Sequence, residues 1–411
     1  MSQVVSFFVL LNLGLLRNCD NNYMMLKCPR CNNVDPSYFY KGSKGIYCRK
    51  CIRFKRILLE EERKPLDYEV SNKAFNNELE YPLTKFQQYA SNKCLEMIDK
   101  SDVLLNCVCG AGKTELVIAS IAKFLKAGKK VAYAISRKEV VKELSLRFAN
   151  VFKTAKVVAV YGGHSKDIVG DIIVCTTHQL YRYHKTFDLL IIDEVDAFPF
   201  KGDAVLWNIA KNTCKGHIIY STATIDEKLK NLIEKGEVYE IKLSLRAHFR
   251  PLVVPKVVKG VKLYLLIYLY FLLRKTNGQI IVFVSSKNMA IYLNKIFKMM
   301  FSSTFVYSDS KSRNEAIDLF KNGKRKVIFA TTVLERGVTF KGVNVVILNF
   351  HEGVFDSSSI NQMLGRVGRD FFNGEGSSWV LTTKVDEEIK KALKDIKGAN
   401  DEALSLLRSS D

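Results

Sequence analysis

No stretch of this sequence reaches the roughly 18 consecutive apolar residues that a membrane-crossing helix needs. The nearest are Val4–Leu16 and Leu263–Leu273. The first has no basic region ahead of it and no small-residue cleavage site, so it does not read as a secretory signal, and Met24 and Met25 follow it as alternative starts. The second ends in Arg274 and Lys275 and leads into a strand pattern, so a buried helix is expected there. Acid is scarce as well: 42 Asp and Glu against 63 Lys and Arg leave a net charge of +21 over 411 residues. That imbalance points to a polyanionic partner, nucleic acid or an anionic lipid surface. A disulfide framework is also missing. Four of the ten cysteines sit in two tight pairs and the other six are scattered, mostly in apolar runs, which suits a reducing compartment. With 47% hydrophobic residues the chain has ample core for two or three domains and is not a disordered one.

What is present is organised around CVCGAGKTEL, Cys107 to Leu116. A hydrophobic strand pattern runs into a glycine turn and then into a helical pattern. Gly110 and Gly112 let consecutive N–H groups face phosphate, and the helix start adds its positive dipole end. Lys113 supplies a full charge and Thr114 a hydroxyl for magnesium, which makes this a Walker A loop with Cys107 in place of the usual first glycine.

Ahead of it lie CPRC and CRKC, separated by sixteen residues. Cys28, Cys31, Cys48 and Cys51 thus form two knuckles whose four thiolates complete a tetrahedron, the ligand set of a structural zinc site with no open position. Around them Tyr38, Tyr40, Tyr47 and Phe54 alternate with Lys41, Lys44, Arg49, Lys50, Arg53 and Arg56. Such a surface can stack bases and follow phosphates, or it can be a small core with solvated cations. The charged run from Glu60 to Lys64, with Pro65, reads as the way out of this module. In YPLTKFQQ, the Gln87 amide can both donate to and accept from an adenine edge.

After the Walker loop, hydrophobic runs of four to six residues alternate with helical patterns, the signature of a parallel sheet covered on both faces. DLLIIDEVD leaves a buried strand with Asp193, suited to Mg²⁺, and Glu194, suited to polarising water. Arg246 to Lys256 carries two prolines and no periodicity, so it reads as a linker. A second α/β run follows without a second Walker A loop. Its candidate pieces are ATTVLERGVTF and QMLGRVGR, in which Arg366 and Arg369 are spaced to share a face and to reach a γ-phosphate held by the other half. The expected division is residues 1–70 for the N-terminal segment and zinc module, 71–245 for the first α/β domain, 246–256 for the linker and 257–411 for the second.

Taken in order, LTKFQ, CVCGAGKT, ISRKEV, VCTTHQL, DEVD, STAT, FVSS, ATTVLERGVTF and QMLGRVGR resemble the motifs of superfamily-two helicases and translocases. With the four-cysteine module in front, GAGKTE and TTHQL narrow the resemblance to the ComFA family, late competence ATPases of DNA uptake in Gram-positive bacteria. The resemblance implies two tandem RecA-like domains behind a zinc module. It also implies ATP-driven translocation on single-stranded DNA during natural competence. ATP would be contacted by Gln87, Gly110, Gly112, Lys113, Thr114 and Gly337, with magnesium on Thr114 and Asp193. Hydrolysis would fall to Lys113, Asp193 and Glu194, with Arg366 and Arg369 completing the site and Gln362 sensing the γ-phosphate. Asp196, Thr222 and Thr224 would couple hydrolysis to domain motion, and Arg137, Thr176, Thr177, Ser286 and Thr331 would line the strand path. The implied partners are the uptake channel ComEC and a phosphoribosyltransferase-like competence protein. The implied place is cytoplasmic, peripheral at the inner membrane face. Departures from the family pattern are Ser136 for proline, Thr332 and Thr339 for aspartates, and Gln362 where RNA-unwinding relatives carry His-Arg. A duplex-unwinding helicase of DNA repair or RNA metabolism, and a non-translocating ATP-gated DNA clamp or assembly factor, are the alternative readings.

Overall fold

The hydrophobic runs pair as two separate parallel sheets, each covered on both faces by helices. The computed structural model describes residues 16–19, 22–71, 78–310, 312–335, 338, 340–368 and 376–408. A short antiparallel pair, β1 (Leu16–Cys19) and β2 (Asn22–Met25), comes first. A second hairpin, β3 (Phe39–Gly42) with β4 (Gly45–Cys48), places Phe39 opposite Cys48 between the cysteine knuckles.

The first large sheet uses β5 (Asp102–Cys107), β6 (Val131–Ile135), β7 (Val157–Val160), β8 (Ile172–Thr176), β9 (Phe187–Asp193), β10 (Cys214–Thr222) and β11 (Val238–Leu243). Its spatial order is β11-β5-β10-β9-β6-β8-β7, with every pairing parallel. The second contains β12 (Lys256–Lys259), β13 (Ile280–Val284), β14 (Ser303–Val306), β15 (Val327–Ala330), β16 (Asn344–Asn349) and β17 (Ser378–Thr382), in the order β12-β17-β16-β13-β15-β14. All five residues of β6 and of β13 are buried, as two-sided coverage requires. The edge strands β11 and β12 are amphipathic, VYEIKL and KVVK, and did not stand out from the sequence for that reason. Because parallel strands all point one way, every loop that follows a strand opens at the same carboxyl edge.

Two elements depart from expectation. The helix over Lys262–Lys275 is only half buried: Leu265, Leu269, Leu272 and Leu273 pack on the second sheet while Leu263, Ile267 and Phe271 face outward. It forms an outer layer on that sheet, with its far side exposed among the described residues. The four-cysteine module, in turn, shares its core with the first sheet. Cys28, Cys31, Cys48, Cys51, Phe39 and Phe54 belong to one apolar cluster with Leu104, Leu190, Trp207 and Tyr220 on a face of the first sheet. The last helix, Glu387–Arg408, starts on the second sheet, but its final turns reach back, with Ala403 and Leu407 in the core on the other face of the first sheet. Among the described residues, no helix is long and apolar enough to cross a membrane.

Candidate active site

Strands β5, β10 and β9 are neighbours, so their carboxyl ends bring the Walker loop, STAT and DEVD side by side. In the loop, Gly112 has φ 83° and a side chain there would place its Cβ 2.5 Å from Gln87 Nε2. Only glycine leaves the backbone cradle open at that point, which fits a loop built for phosphate. Helix Lys113–Leu116 begins directly behind it. Gln87 is 5% exposed and its amide is already engaged. Its Oε1 accepts from Thr84 N and Thr84 Oγ1, at 3.0 and 3.1 Å, closing a capping box, and its Nε2 donates to the Ala111 carbonyl at 2.8 Å. In this arrangement Gln87 braces the Walker loop.

At the end of β9, Asp193 accepts a 2.8 Å hydrogen bond from the Tyr133 hydroxyl. Tyr133 is fully buried and also interacts with Thr114. Burial, with Asp193 beside it, pushes the phenol well above its ordinary value, so it stays a donor. One tyrosine therefore ties together both candidate magnesium ligands, a role that nothing in the local pattern VAYAI signals. Glu194 follows with φ 54°, a left-handed conformation that costs a non-glycine residue on the order of 1–3 kcal/mol and recurs at catalytic positions. Its N–H bonds back to Asp193 Oδ1 at 2.9 Å. The donor set is what magnesium prefers, hard oxygens at the mouth of a phosphate cradle. Held by Thr114 and Asp193, the ion would neutralise charge on the β- and γ-phosphates, and Glu194 would be the group to orient water.

The second sheet meets this edge directly. Cys109 Sγ donates to Gln362 Oε1 at 3.1 Å, with both residues buried. Their approach depends on Gly365, where a Cβ would lie 2.7 Å from that of Cys109. Asp196 Oδ2 accepts from Thr224 Oγ1 at 2.9 Å and from Ser358 Oγ at 3.0 Å, and the two hydroxyls are 3.1 Å apart. Thr222 Oγ1 closes the STAT turn by donating to the Thr224 carbonyl at 2.6 Å. The coupling residues named from sequence thus reach across the cleft through Ser358, on the helix Ser357–Leu364 that carries Gln362. Arg366 is 2% exposed and donates to the carbonyls of Glu335 (3.0 Å) and Val338, so it is tied to the backbone at both residues. Gly337, Thr339 and Arg369 lie outside the described residues.

The expected strand-lining residues are less uniform. Ser286 is exposed and caps the helix Lys287–Phe297, and Thr331 follows β15, the neighbour of β13. Arg137 Nη1 donates to the Val333 carbonyl at 2.6 Å, bridging to the second half. Thr176 ends β8 and Thr177 opens the turn Thr177–Arg182, with 8% and 1% of their surface exposed. The more accessible part of that motif is His178, Gln179, Tyr181 and Arg182.

The four-cysteine module docks on this same motif. Phe54 packs against the rings of His178 and Tyr181 at centroid distances of 5.9 and 5.7 Å, and Arg63 donates to the Tyr181 carbonyl at 2.5 Å. Arg53 pairs with Asp203, and Asn208 and Asn212 donate to the carbonyls of Cys31 and Arg30 at 2.8 and 2.9 Å. Cys28 and Cys51 sulfurs are 3.7 Å apart and those of Cys31 and Cys48 3.8 Å, with all four within 4.8 Å of one another. Zn–S bonds of about 2.3 Å in a tetrahedron require S···S edges of about 3.8 Å, so the cluster fits zinc. Outside it, Tyr38 and Tyr40 are exposed beneath Lys50 and Arg49.

Comparison with known proteins agrees with this architecture. Residues 261–370 match the helicase conserved C-terminal domain, and residues 80–227 match the type III restriction enzyme res subunit. The competence protein ComFA of Streptococcus pneumoniae is 33% identical over 395 residues, covering 92% of this chain and 91% of that one. The ComFA of Bacillus subtilis is 30% identical over 409 residues, covering 92% and 87%. In structure, Saccharomyces cerevisiae Dbp5 bound to RNA and ADP BeF3 superposes with a TM-score of 0.58 at 19% identity, covering 77% of this chain and 87% of that one, a likeness of fold.

Proposed function

The chain belongs to the ComFA family of competence proteins, superfamily-two helicase-type ATPases, and from that membership we propose that it is an ATP-driven translocase on single-stranded DNA, helping to draw transforming DNA into the cytoplasm. The observation that carries the reading is the cleft itself. The Walker loop meets the QMLGRVGR helix through Cys109 and Gln362, and DEVD meets it through Asp196 and Ser358. Nucleotide bound at Lys113 and Thr114 would add contacts on both sides, favouring closure, and hydrolysis assisted by Glu194 would remove them. Two sheets that alternate their grip on a phosphate backbone convert this cycle into steps. The strand would cross the carboxyl edges near Arg137, Ser286 and Thr331, past the accessible part of TTHQLYR, with Arg369 and Gly337 completing the nucleotide site. Residues 1–70, 71–245 and 257–411 serve in this reading as zinc module and two motor domains. The place of action would be the inner membrane face, beside the uptake channel ComEC and the phosphoribosyltransferase-like competence protein.

A displacement assay tests the motor. With ATP the protein should strip streptavidin from one end of a biotinylated single strand, and Glu194→Gln should bind the strand without stripping it. ATP-dependent binding with no displacement would identify a clamp, and separation of a blunt duplex would identify an unwinding helicase; either result overturns the translocase reading.

A further inference from the structure

Two helices on one face of the second sheet leave an apolar surface uncovered. Between its charged ends the helix Lys262–Lys275, KLYLLIYLYFLLRK, is apolar on every side, a pattern that belongs to a helix with neighbours all round. Its buried residues are Leu265, Leu269, Leu272 and Leu273, while Leu263, Tyr264, Ile267 and Phe271 are exposed. The helix Lys287–Phe297 repeats the arrangement beside it on the same apolar cluster. Ala290, Leu293 and Phe297 face the sheet, and Ile291, Tyr292 and Ile296 are exposed, followed by Met299 at 93% exposure. The Tyr270 ring stands 6.0 Å from Phe301, itself 6.1 Å from Phe297, so the two helices meet through these rings. Large exposed hydrophobics of the described residues thus concentrate between Val261 and Met300, which is the mark of an interaction surface; scattered ones would need no explanation.

The charge on this face has one sign. From Ile241 to Ser308 there is no Asp or Glu, and Lys262, Arg274, Lys275, Lys287, Lys295 and Lys298 lie on the two helices or at their ends. Acidic side chains are carried instead by the helices of the opposite face. Arg313–Lys321 and Glu387–Arg408, with Glu315, Asp318, Glu387 and Glu388, pack there through Ile317, Phe320, Ile389 and Ile396. We propose that the outer face of helices Lys262–Lys275 and Lys287–Phe297 docks on an anionic phospholipid membrane. Apolar side chains among cations match the boundary between acyl chains and phosphate headgroups. Ile267 and Phe271 enter the acyl edge, Tyr264 and Tyr292 hold their rings and hydroxyls at headgroup level, and the lysines extend to the phosphates. At 14 and 11 residues the helices are too short to span, so the chain rests on the lipid without crossing it. Nucleic acid suits the face less well, because Leu263, Ile267, Ile296 and Met299 offer no ring on which a base can stack. A second copy brought face to face would set like cations against each other. The proposal rests on the membrane-side placement given above, for which it names the surface, and not on the motor reading.

The full-length protein is sedimented with vesicles of equal parts phosphatidylglycerol and phosphatidylcholine, and with vesicles of phosphatidylcholine alone. The unmodified chain should bind the anionic vesicles, and more weakly as salt shortens the reach of its cations. Ile267→Gln/Phe271→Gln should lower that affinity by about tenfold to a hundredfold, since two half-exposed apolar groups no longer enter the lipid. Lys262→Gln/Arg274→Gln/Lys275→Gln should lower it by roughly a hundredfold, at a factor of about five for each cation near the surface. Both sets change surface positions outside the nucleotide cleft, so ATP hydrolysis and streptavidin displacement without lipid should match those of the unmodified chain. Those two assays keep a failure of the membrane proposal distinct from a failure of the motor. Should one set lose ATP hydrolysis through misfolding, the other set and the comparison of the two vesicles still decide. Equal binding to both kinds of vesicle, or variants that bind as the unmodified chain does, would overturn the proposal. Self-association abolished by Ile267→Gln/Phe271→Gln, with no vesicle binding, would make the face a contact between copies and overturn it as well.

Discussion

At the scale of single residues, the site pairs groups whose chemistry is plain in the sequence with supports that are not. Asp193 and Thr114 are ordinary magnesium ligands by type, yet what fixes them is Tyr133, on the strand beside that of Asp193 and nineteen positions from Thr114. A hydrogen bond to a charged acceptor contributes about 1.5–3 kcal/mol, and loss of such an outer support typically costs 10- to 100-fold in metal affinity or activity. Tyr133→Phe should therefore raise the magnesium concentration for half-maximal ATPase by about tenfold while leaving the fold intact, since only one oxygen is removed from a packed ring. Turnover should recover when magnesium is raised. A magnesium titration that superposes on that of the unmodified protein would show that Asp193 is held by other means.

At the scale of elements, the cysteine module is the clearest case of a unit whose position changes its meaning. Its spacing announces four ligands, and the sulfurs stand at zinc distances, but the sequence gives no sign that Phe54 and Arg63 clasp the segment Thr177–Arg182. Loss of the metal should free that clasp. The double change Cys28→Ser/Cys31→Ser is expected to lose zinc, whose binding to such sites is worth on the order of 10–16 kcal/mol. It should also lose most of the DNA-stimulated increment of ATP hydrolysis while nucleotide binding at Lys113 persists. Metal analysis and ATPase measured with and without DNA decide it; an unchanged DNA increment in zinc-free protein would leave the module a structural cap. The contrast explains what was legible. Strands β5, β6, β8, β9, β10, β13 and β16 show as hydrophobic runs because two-sided burial demands it, and the nucleotide motifs show because each sits at one strand end. The pairings that finish the site, Cys109 with Gln362 and Asp196 with Ser358, join residues 253 and 162 positions apart. No local period encodes them. The burial of Thr177 escaped for the same reason, since a threonine after a strand looks alike whether it faces solvent or a neighbouring core.

At the scale of the whole molecule, charge and cleft act together. The net charge of +21 is spread through both halves, and the stretch from Ile241 to Ser308 contains no Asp or Glu. Each Lys or Arg that meets a phosphate releases condensed counterions, so affinity for a strand falls with salt at a slope of about 0.7 per contact for single strands. A path across two carboxyl edges and the zinc module should engage several phosphates. Between 50 and 200 mM salt, binding to a single strand should then fall by about one to two and a half orders of magnitude, as on the order of three to six contacts imply. Single-stranded DNA should also stimulate hydrolysis more than a duplex of the same length, because stacking on exposed rings such as Tyr38 and Tyr40 needs unpaired bases. Fluorescence anisotropy over a salt series, with ATPase measured on matched single and double strands, checks both. A flat salt response would confine the protein to non-electrostatic contacts that its composition does not favour, and stimulation by duplex alone would relocate the strand path to a surface that reads paired DNA.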